Sequence, residues 1–438
     1  MANAFDDSHL GGVAPAAREL IRRRHALLGP AYRLFYESPV EFVRGEGVRL
    51  YDPEGNAWLD AYNNVPSVGH SHPHVVAAVA RQEAVLNTHT RYPAAPILDY
   101  AERLLDTHSS VLQRVMFTCT GSEAVDLALR IARFNTGKQG VVVTANAYHG
   151  VTTACAGISP SLGANSPLDP STCTVEVPDT DVTGPERAIR DLTAAISRAI
   201  DELEESGAGF AAFIADSIFS SDGVRTGPPG SLSAVADLVR SRGGIYIADE
   251  VQSGFARTGE RMWGYQHHGF DPDIAVMGKP MGNGMPIAGV VARPELVEEF
   301  GRKVRYFNTF GGNSVCVAAA SAVLDVIDRE GLAENASAVG AEFKAALTGL
   351  GASYDSLGPV RGVGLFLAVD IVNPETGGGP DADMADRIVN GMMARRVLIS
   401  ITGPQAATLK IRPPLPFNGD DVDQFVSALE ETCHDLAG

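Results

Sequence analysis

From residue 115 to residue 292, short runs that are apolar at almost every position alternate with stretches of helical period, and this alternation constrains the fold more than anything else in the chain. Val115-Met-Phe-Thr118, Val141-Val-Val-Thr144, Ala211–Ala215, Ile245–Ala248, Ile274–Met277 and Ile287–Ala292 are of strand length and show no polar alternation. A strand without a polar face has to be covered on both sides. Between the runs, Ser122–Phe134, Pro185–Glu205 and Ser231–Ser241 gather apolar residues on one helical face; Val125, Leu129 and Ala132 lie beside Ala128 and Ile131. Pro185 opens the second of these and Gly207 follows its end, the usual helix asymmetry. The pattern predicts an α/β fold with a mostly parallel central sheet and helices on both faces. Residues 156–180 carry Pro, Ser and Gly without a period and are expected to form a loop near the site.

The flanks read differently. Ala14–Leu28 is expected as a helix stopped by Gly29-Pro30, and Val40–Asp60 as a small β-meander turned at Gly45, Gly47 and Pro53-Glu-Gly55. Asn63–His74 is a loop opening a helix from Val75 to Leu86, and Ile97–Leu105 is helical. After Gly312, helices are expected at Ser314–Glu330, Asn335–Thr348, Asp381–Arg396 and Asp421–Leu436. Strands are expected at Val360–Val372, 397–400 and 408–411, with a flexible tip at Gly377-Gly-Gly-Pro380. The predicted division is an N-terminal segment, 1–65, that joins a small α+β domain; a large ligand-binding domain, 66–325; and the rest of the small domain, 326–438.

A net charge of −18, with Arg22-Arg23-Arg24 as the one basic cluster, argues against nucleic acid or an anionic membrane as a partner. A locally positive pocket for a small anion is still allowed. Cys119, Cys155, Cys173, Cys316 and Cys433 are odd in number and never form a C-x-x-C pair, which fits a reducing cytoplasm. No apolar run approaches ~18 residues, and Met1–Asp7 has no signal-peptide pattern. His70, His72 and His74 are read as loop residues rather than metal ligands, because Pro73 interrupts them and no acid or cysteine stands at ligand spacing.

The chemistry gathers at the ends of the apolar runs. Lys279 follows Ile274-Ala-Val-Met-Gly278. A lysine delivered by a buried strand tends toward its neutral, nucleophilic amine, as a Schiff-base lysine requires. Gly244-Ile-Tyr-Ile-Ala-Asp249-Glu250 is a second such run, ending in acids. A buried carboxylate needs a cationic partner. The protonated pyridine nitrogen of pyridoxal phosphate (PLP) is one, and its aldehyde would hold Lys279. In Thr118-Cys-Thr-Gly121-Ser122-Glu-Ala124, a strand passes into a helix N-terminus where backbone N–H groups favour a phosphate; the same residues also suit a plain helix cap. The turn has neither a Walker lysine nor a dinucleotide fingerprint, and Gly282–Gly289 does not sit between strand and helix. Tyr148, after the next strand, would stack on a ring or cap the core. Phosphate turn, aromatic, acid and lysine all fall at carboxyl ends of strands, the edge where open α/β sheets bind ligands.

At these residues the chain resembles the class III (ω-) aminotransferases, PLP enzymes of fold type I. The matching pieces are Gly69-His-Ser-His-Pro73, Thr120-Gly-Ser-Glu-Ala124, Tyr148-His-Gly150, Asp249-Glu-Val-Gln-Ser-Gly-Phe-Ala-Arg-Thr-Gly259, Pro272-Asp-Ile274, Gly278-Lys279 and Asn308-Thr-Phe-Gly-Gly-Asn313. The resemblance runs from about residue 35 to residue 435. It implies Lys279 as the Schiff-base lysine, Asp249 on the pyridine nitrogen, Tyr148 and Val251 on opposite ring faces, and Gln252 near the ring hydroxyl. Gly121 and Ser122 would hold the phosphate. Thr309 would reach it from the second subunit of a homodimer with shared active sites.

Two departures stand out. Many members carry Glu-Pro where this chain has Asp216-Ser217, so Asp216 joins the implied cofactor residues. They also carry a carboxylate-gripping arginine where Thr408-Leu-Lys410-Ile-Arg412-Pro-Pro414 places Lys410. With Tyr32-Arg-Leu-Phe-Tyr36, Val85–Tyr92 and Val360–Phe366, these departures resemble the ammonia-phospho-lyase branch, which acts on O-phosphoethanolamine or phosphohydroxylysine. The alternative is a class III transaminase moving an amino group from an ω-amino acid or amine to a 2-keto acid. A lyase needs cations at the departing phosphate; Arg91, Lys410, Arg412 and His70 are the candidates. A PLP-fold regulator would need a basic extension that this sequence lacks. A racemase would need a second acid/base, for which Tyr148 is the one nearby titratable residue.

Overall fold

The computed structural model describes residues 4–227, 229–259 and 261–437. Its central sheet has seven strands: β1 (Arg114–Thr118), β2 (Gly140–Thr144), β3 (Thr172–Val175), β4 (Phe210–Asp216), β5 (Ile245–Asp249), β6 (Ile274–Met277) and β7 (Ala288–Ala292). Their order is β1-β7-β6-β5-β4-β2-β3. All pairs are parallel except those of β7, which runs antiparallel to both β1 and β6. The cause is local. Only residues 278–287 separate β6 from β7, and a parallel crossover takes roughly a dozen or more. Because β7 reverses twice over, β1 points the same way as the parallel block, and the carboxyl ends of β1, β2, β4, β5 and β6 share one edge.

The two-sided burial expected of these strands is resolved residue by residue. Val141, Val143, Ala212, Ile214, Ile245, Ile247, Ile274 and Val276 pack into one apolar cluster with Val125, Leu129 and Ile131 of the helix α1 (Gly121–Thr136). Their neighbours Val142, Phe213, Ala215, Tyr246, Ala248, Ala275 and Met277 enter the cluster on the opposite face. There they meet Leu192 and Ile196 of α2 (Pro185–Glu205) and Val235 and Val239 of α3 (Ser231–Ser241). Successive side chains of a strand point to opposite faces, so each of these inner residues finds a cover; in the edge strand β1, by contrast, Val115, Met116 and Phe117 stay half-buried.

A second, four-stranded sheet joins both ends of the chain. Arg44–Glu46, Arg49–Tyr51 and Ala57–Asp60 form the expected meander, and Val397–Leu398 pairs parallel to its last strand. A third sheet is built from Leu357–Val363, Phe366–Asn373, Thr408–Ile411 and Ser400–Thr402, with Gly379–Pro380 added to the second of these. Among the described residues no helix is long and apolar enough to cross a membrane.

Several expectations need correction. The segment 156–180 contains β3. It is an edge strand, largely half-exposed, and its Thr-Cys-Thr-Val carries no apolar run. Val360–Val372 is a hairpin rather than one strand, turning at Gly364-Leu365. A β-carbon on Gly364 would stand 2.5 Å from the Thr258 carbonyl carbon, so the turn seats against the Arg257–Gly259 backbone only as glycine. The 397–400 run is split between two sheets. The Gly379–Pro380 tip is paired to Val372–Asn373. Pro294–Lys303 is a helix that the apolar pattern did not announce, with Phe300 its one buried residue. The helix after the histidine loop spans Pro73–Glu83, capped by His72.

Candidate active site

The shared edge of the sheet holds a cavity. Gly121, Ser122, Tyr148, Asp216, Asp249, Val251, Gln252 and Lys279 all line it, together with His149 and Gly150. These are the residues singled out for the cofactor, save Thr309.

Lys279 leaves β6 through Gly278 and opens a single 3₁₀ turn. Its φ of +25° is unusual for a residue with a side chain, and its chain neighbours Gly278 and Pro280 are both buried. Burial, then the Arg412 charge, push its amine down to about 8, against the pull of Asp249 and Asp216. Asp249 ends β5 at 5% exposure. One oxygen accepts the Val251 N–H at 3.1 Å; the other lies 2.7 Å from His149 Nδ1. Glu250, the second acid of the pair, turns away. It is wholly buried, accepts the N–H groups of Gly264 and Tyr265, and is pushed up to about 7 by burial. The acid pair thus divides into one carboxylate facing the cavity and one anchoring the core.

At the other end of the cavity, Thr120 caps α1 in a reciprocal capping box with Glu123. Ser122 is therefore spared that task, and its hydroxyl accepts the Val151 N–H at 3.1 Å. A β-carbon on Gly121 would meet the Val251 methyls at 3.1–3.2 Å. Glycine here lets the helix N-terminus close on the slot beneath Val251. Gly150 has φ +130°, and a β-carbon there would meet Ser122 Oγ at 2.4 Å. That close approach folds the Tyr148 turn down over the helix start.

The substrate candidates separate into two groups. Lys410 lies on the strand Thr408–Ile411, buried, with Nζ 5.6 Å from the centre of the Phe366 ring. Burial and then Arg412 hold its amine well below the ordinary lysine range. Arg412, also buried, donates to Gln252 Oε1 at 2.6 Å and Asn64 Oδ1 at 3.1 Å and lies over the Tyr62 ring. Arg412 depresses the amines of both Lys279 and Lys410, and Lys279 also depresses that of Lys410, so both residues belong to the cavity's neighbourhood. Arg91 and Thr309 do not line the cavity of their own chain. Arg91 is exposed and stacks over Phe307 at 3.8 Å. Thr309 is exposed in a turn that Asn308 ties to Glu123 of α1 at 3.3 Å. His70 Nε2 sits 2.7 Å from Asp60 Oδ2, also outside the cavity wall. His72 and His74 each bond a carboxylate, of Glu330 and Asp325.

Sequence reasoning missed the role of His149. A buried acid announces that it needs a partner, but nothing in the chain says which histidine will reach it across a hundred residues. The donor set fits PLP: a helix N-terminus with a free serine hydroxyl suits its phosphate, a buried carboxylate suits a protonated ring nitrogen, and a lysine amine already shifted toward neutrality suits its aldehyde.

The description Aminotransferase class-III matches residues 35–433. A Drosophila melanogaster relative, alanine–glyoxylate aminotransferase 2-like, is 38% identical over 94% of this chain and 86% of its own. The Caenorhabditis elegans ethanolamine-phosphate phospho-lyase homolog 1 is 35% identical over 94% and 92%. Among solved structures, an Arthrobacter phospholyase in complex with phosphoethanolamine superposes with a TM-score of 0.92 at 42% identity, over 95% of this chain and 99% of that one. An (S)-enantioselective ω-transaminase from Thermomicrobium roseum gives 0.86 at 27% identity, over 96% and 99%. With its fold and nearly its whole length matched, the chain belongs to the class III aminotransferases, PLP-dependent enzymes of fold type I.

Proposed function

We propose that this enzyme is an ammonia-phospho-lyase that removes phosphate and ammonia from a small phosphorylated amine such as O-phosphoethanolamine. The observation that carries this reading is the buried guanidinium of Arg412, tied to Gln252 of the cavity wall, with the amine of Lys410 buried in the same neighbourhood. The phosphoethanolamine held by the Arthrobacter neighbour and the name of the C. elegans relative support it.

When bound, the cofactor supplies an aldehyde that captures the substrate amine and a protonated ring that stores electrons from the adjacent carbon. Lys279, freed by the incoming amine, takes the proton from the amine-bearing carbon; a pKa lowered to about 8 makes its neutral form far more accessible near neutral pH than in an ordinary lysine. Asp249, oriented by His149 and the Val251 N–H, holds the proton on the ring nitrogen. Tyr148 and Val251 confine the ring, and Gly121 and Ser122 hold the cofactor phosphate. Arg412 meets the negative charge that develops as the carbon–oxygen bond breaks and its electrons leave with phosphate, and Lys410 adds N–H donors there. The unsaturated amine left behind hydrolyses to an aldehyde and ammonia.

The second reading is a class III transaminase, favoured by the name of the Drosophila relative. In that reading Lys279 would shuttle the abstracted proton with no phosphate lost, and a 2-keto acid would take up the amino group. The deciding experiment offers O-phosphoethanolamine to the holoenzyme with no amino acceptor. A lyase releases phosphate, ammonia and acetaldehyde in equal amounts over many turnovers. Turnover that appears only with pyruvate or 2-oxoglutarate, without phosphate release, establishes the transaminase.

The working unit in this reading is a homodimer. Arg91 and Thr309 flank an apolar groove that includes exposed Tyr92, Leu98 and Phe307, a surface suited to a second copy. Thr309 then reaches the cofactor phosphate of the opposite subunit. Thr309→Ala is expected to weaken PLP binding by about 1–2 kcal/mol, the scale of a hydrogen bond to a charged group, measured by cofactor release on dilution. A monomer by sedimentation that keeps all its PLP contradicts the arrangement. We also take 66–325 as the PLP-binding domain, with 1–65 and 326–438 forming the small domain. The unpaired cysteines support a cytoplasmic setting.

A further inference from the structure

One hydrogen-bond chain crosses from the cofactor end of the cavity to Arg412. Arg412 Nη1 donates to Gln252 Oε1 at 2.6 Å and to Asn64 Oδ1 at 3.1 Å. A guanidinium has donors only, so Gln252 must present its carbonyl oxygen there. Its amide nitrogen then faces Ser220 Oγ, at 2.6 Å. Ser220 accepts that bond, and its own proton is left for Asp216 Oδ2. The direction of every bond follows from the arginine.

Ser220 is wholly buried and is not part of the cavity wall. It sits on the loop after β4, where Phe219 and Val224 adopt φ of +47° and +57°. Such strain in residues with β-carbons survives only where the surroundings enforce it. Here Thr402 Oγ1 holds the Ser220 carbonyl at 3.0 Å, and Arg361 Nη2 holds that of Gly223 at 3.0 Å. The loop is thus pinned from the small domain with the serine hydroxyl turned inward.

Both hydrogen bonds of the Arg412 side chain among the described residues use Nη1, which leaves Nε and Nη2 as a fork for an anion. We propose that Ser220 is a positioning residue that, by locking the Gln252 amide, aims the free edge of Arg412 at the substrate's anionic group. This rests on the reading of Arg412 as a substrate residue. Without the hydroxyl the amide is free to turn, and Nη1 loses its fixed acceptor. Anion affinity then falls while the cofactor stays bound.

The test uses the holoenzyme and inorganic phosphate as the probe, followed by the absorbance of the bound cofactor. Ser220→Ala is expected to weaken phosphate binding about tenfold, the scale of one hydrogen bond to a charged group. Ser220→Thr, which keeps the hydroxyl, is expected to stay within about threefold of the wild type. PLP retention and melting temperature, recorded in parallel, confirm that both variants are folded. Unchanged affinity in Ser220→Ala overturns the proposal. So does a Ser220→Thr variant as weak as the alanine, which would assign the effect to packing, and so does a wild type that binds no phosphate. The functional reading is judged separately. If the wild type releases no phosphate from O-phosphoethanolamine yet Ser220→Ala weakens phosphate binding, the lyase falls and the positioning role stands.

Discussion

Lys279→Ala is expected to lower turnover by about four orders of magnitude or more, because it removes the nucleophile that carries the cofactor and the base that takes the substrate proton together. The variant still folds and still captures PLP. The helix N-terminus, Ser122 and Asp249 are untouched, and methylene groups removed from the cavity leave room rather than a clash. Its positive φ is a modest concern: alanine at φ +25° pays the same backbone strain as lysine, so no new cost arises. Borohydride treatment of the wild type should fix the cofactor covalently on one peptide, the one containing Lys279, and should leave the alanine variant's cofactor dialysable. A reduced adduct mapped to another lysine sinks the assignment. Lys410 is the serious competitor, since it too is buried and its amine is depressed by the same Arg412 charge. The two lysines differ in place: Lys279 lines the cavity with Asp249 and Gln252, whereas Lys410 lies outside its wall.

Much of this arrangement is legible in the amino-acid order because the physics involved is local. An apolar run with no polar alternation has to sit in the middle of a covered sheet, and Val141–Val143 and Ile245–Ile247 do so, sending alternate side chains to the two apolar clusters. A lysine and an acid placed at the ends of such runs come to the same edge whatever the loops do. What the sequence withheld depends on partners far along the chain. The strand Thr172–Val175 is stabilised by pairing with Gly140–Thr144 rather than by its own composition, so no apolar run marks it. The break at Gly364-Leu365 is dictated by the closeness of Thr258, more than a hundred residues earlier. The bond from His149 to Asp249 and the chain from Ser220 through Gln252 to Arg412 are made by residues whose types are common and whose spacing carries no signal. Arg91 and Thr309 illustrate the limit in another way. Among the described residues neither lines the cavity, and Arg91 stacks over Phe307 instead, so the role that the resemblance implies for them could not be read from one chain's own geometry.

Asp249→Asn is expected to bind PLP and to lose about two to three orders of magnitude in kcat, comparable with deleting one preorganised electrostatic group from an active site. Asparagine matches the carboxylate in shape. It can still accept the Val251 N–H, and its amide can still face His149 Nδ1 in the acceptor tautomer, so the local fold survives. What changes is charge. At 5% exposure a carboxylate is a strong inducement for a proton on the ring nitrogen opposite it, because each unpaired charge would otherwise be buried alone. A neutral amide would offer no such inducement, so a ring bound there would hold its nitrogen proton, and with it the electrons of the substrate carbon, less well. The loss should therefore fall on kcat, with KM for the amine changed little, since capture of the amine by the aldehyde needs no ring proton. The absorbance of the bound cofactor should titrate differently from that of the wild type across the neutral range, a readout independent of turnover. Near wild-type kcat would mean that Asp249 serves only to hold His149 in place.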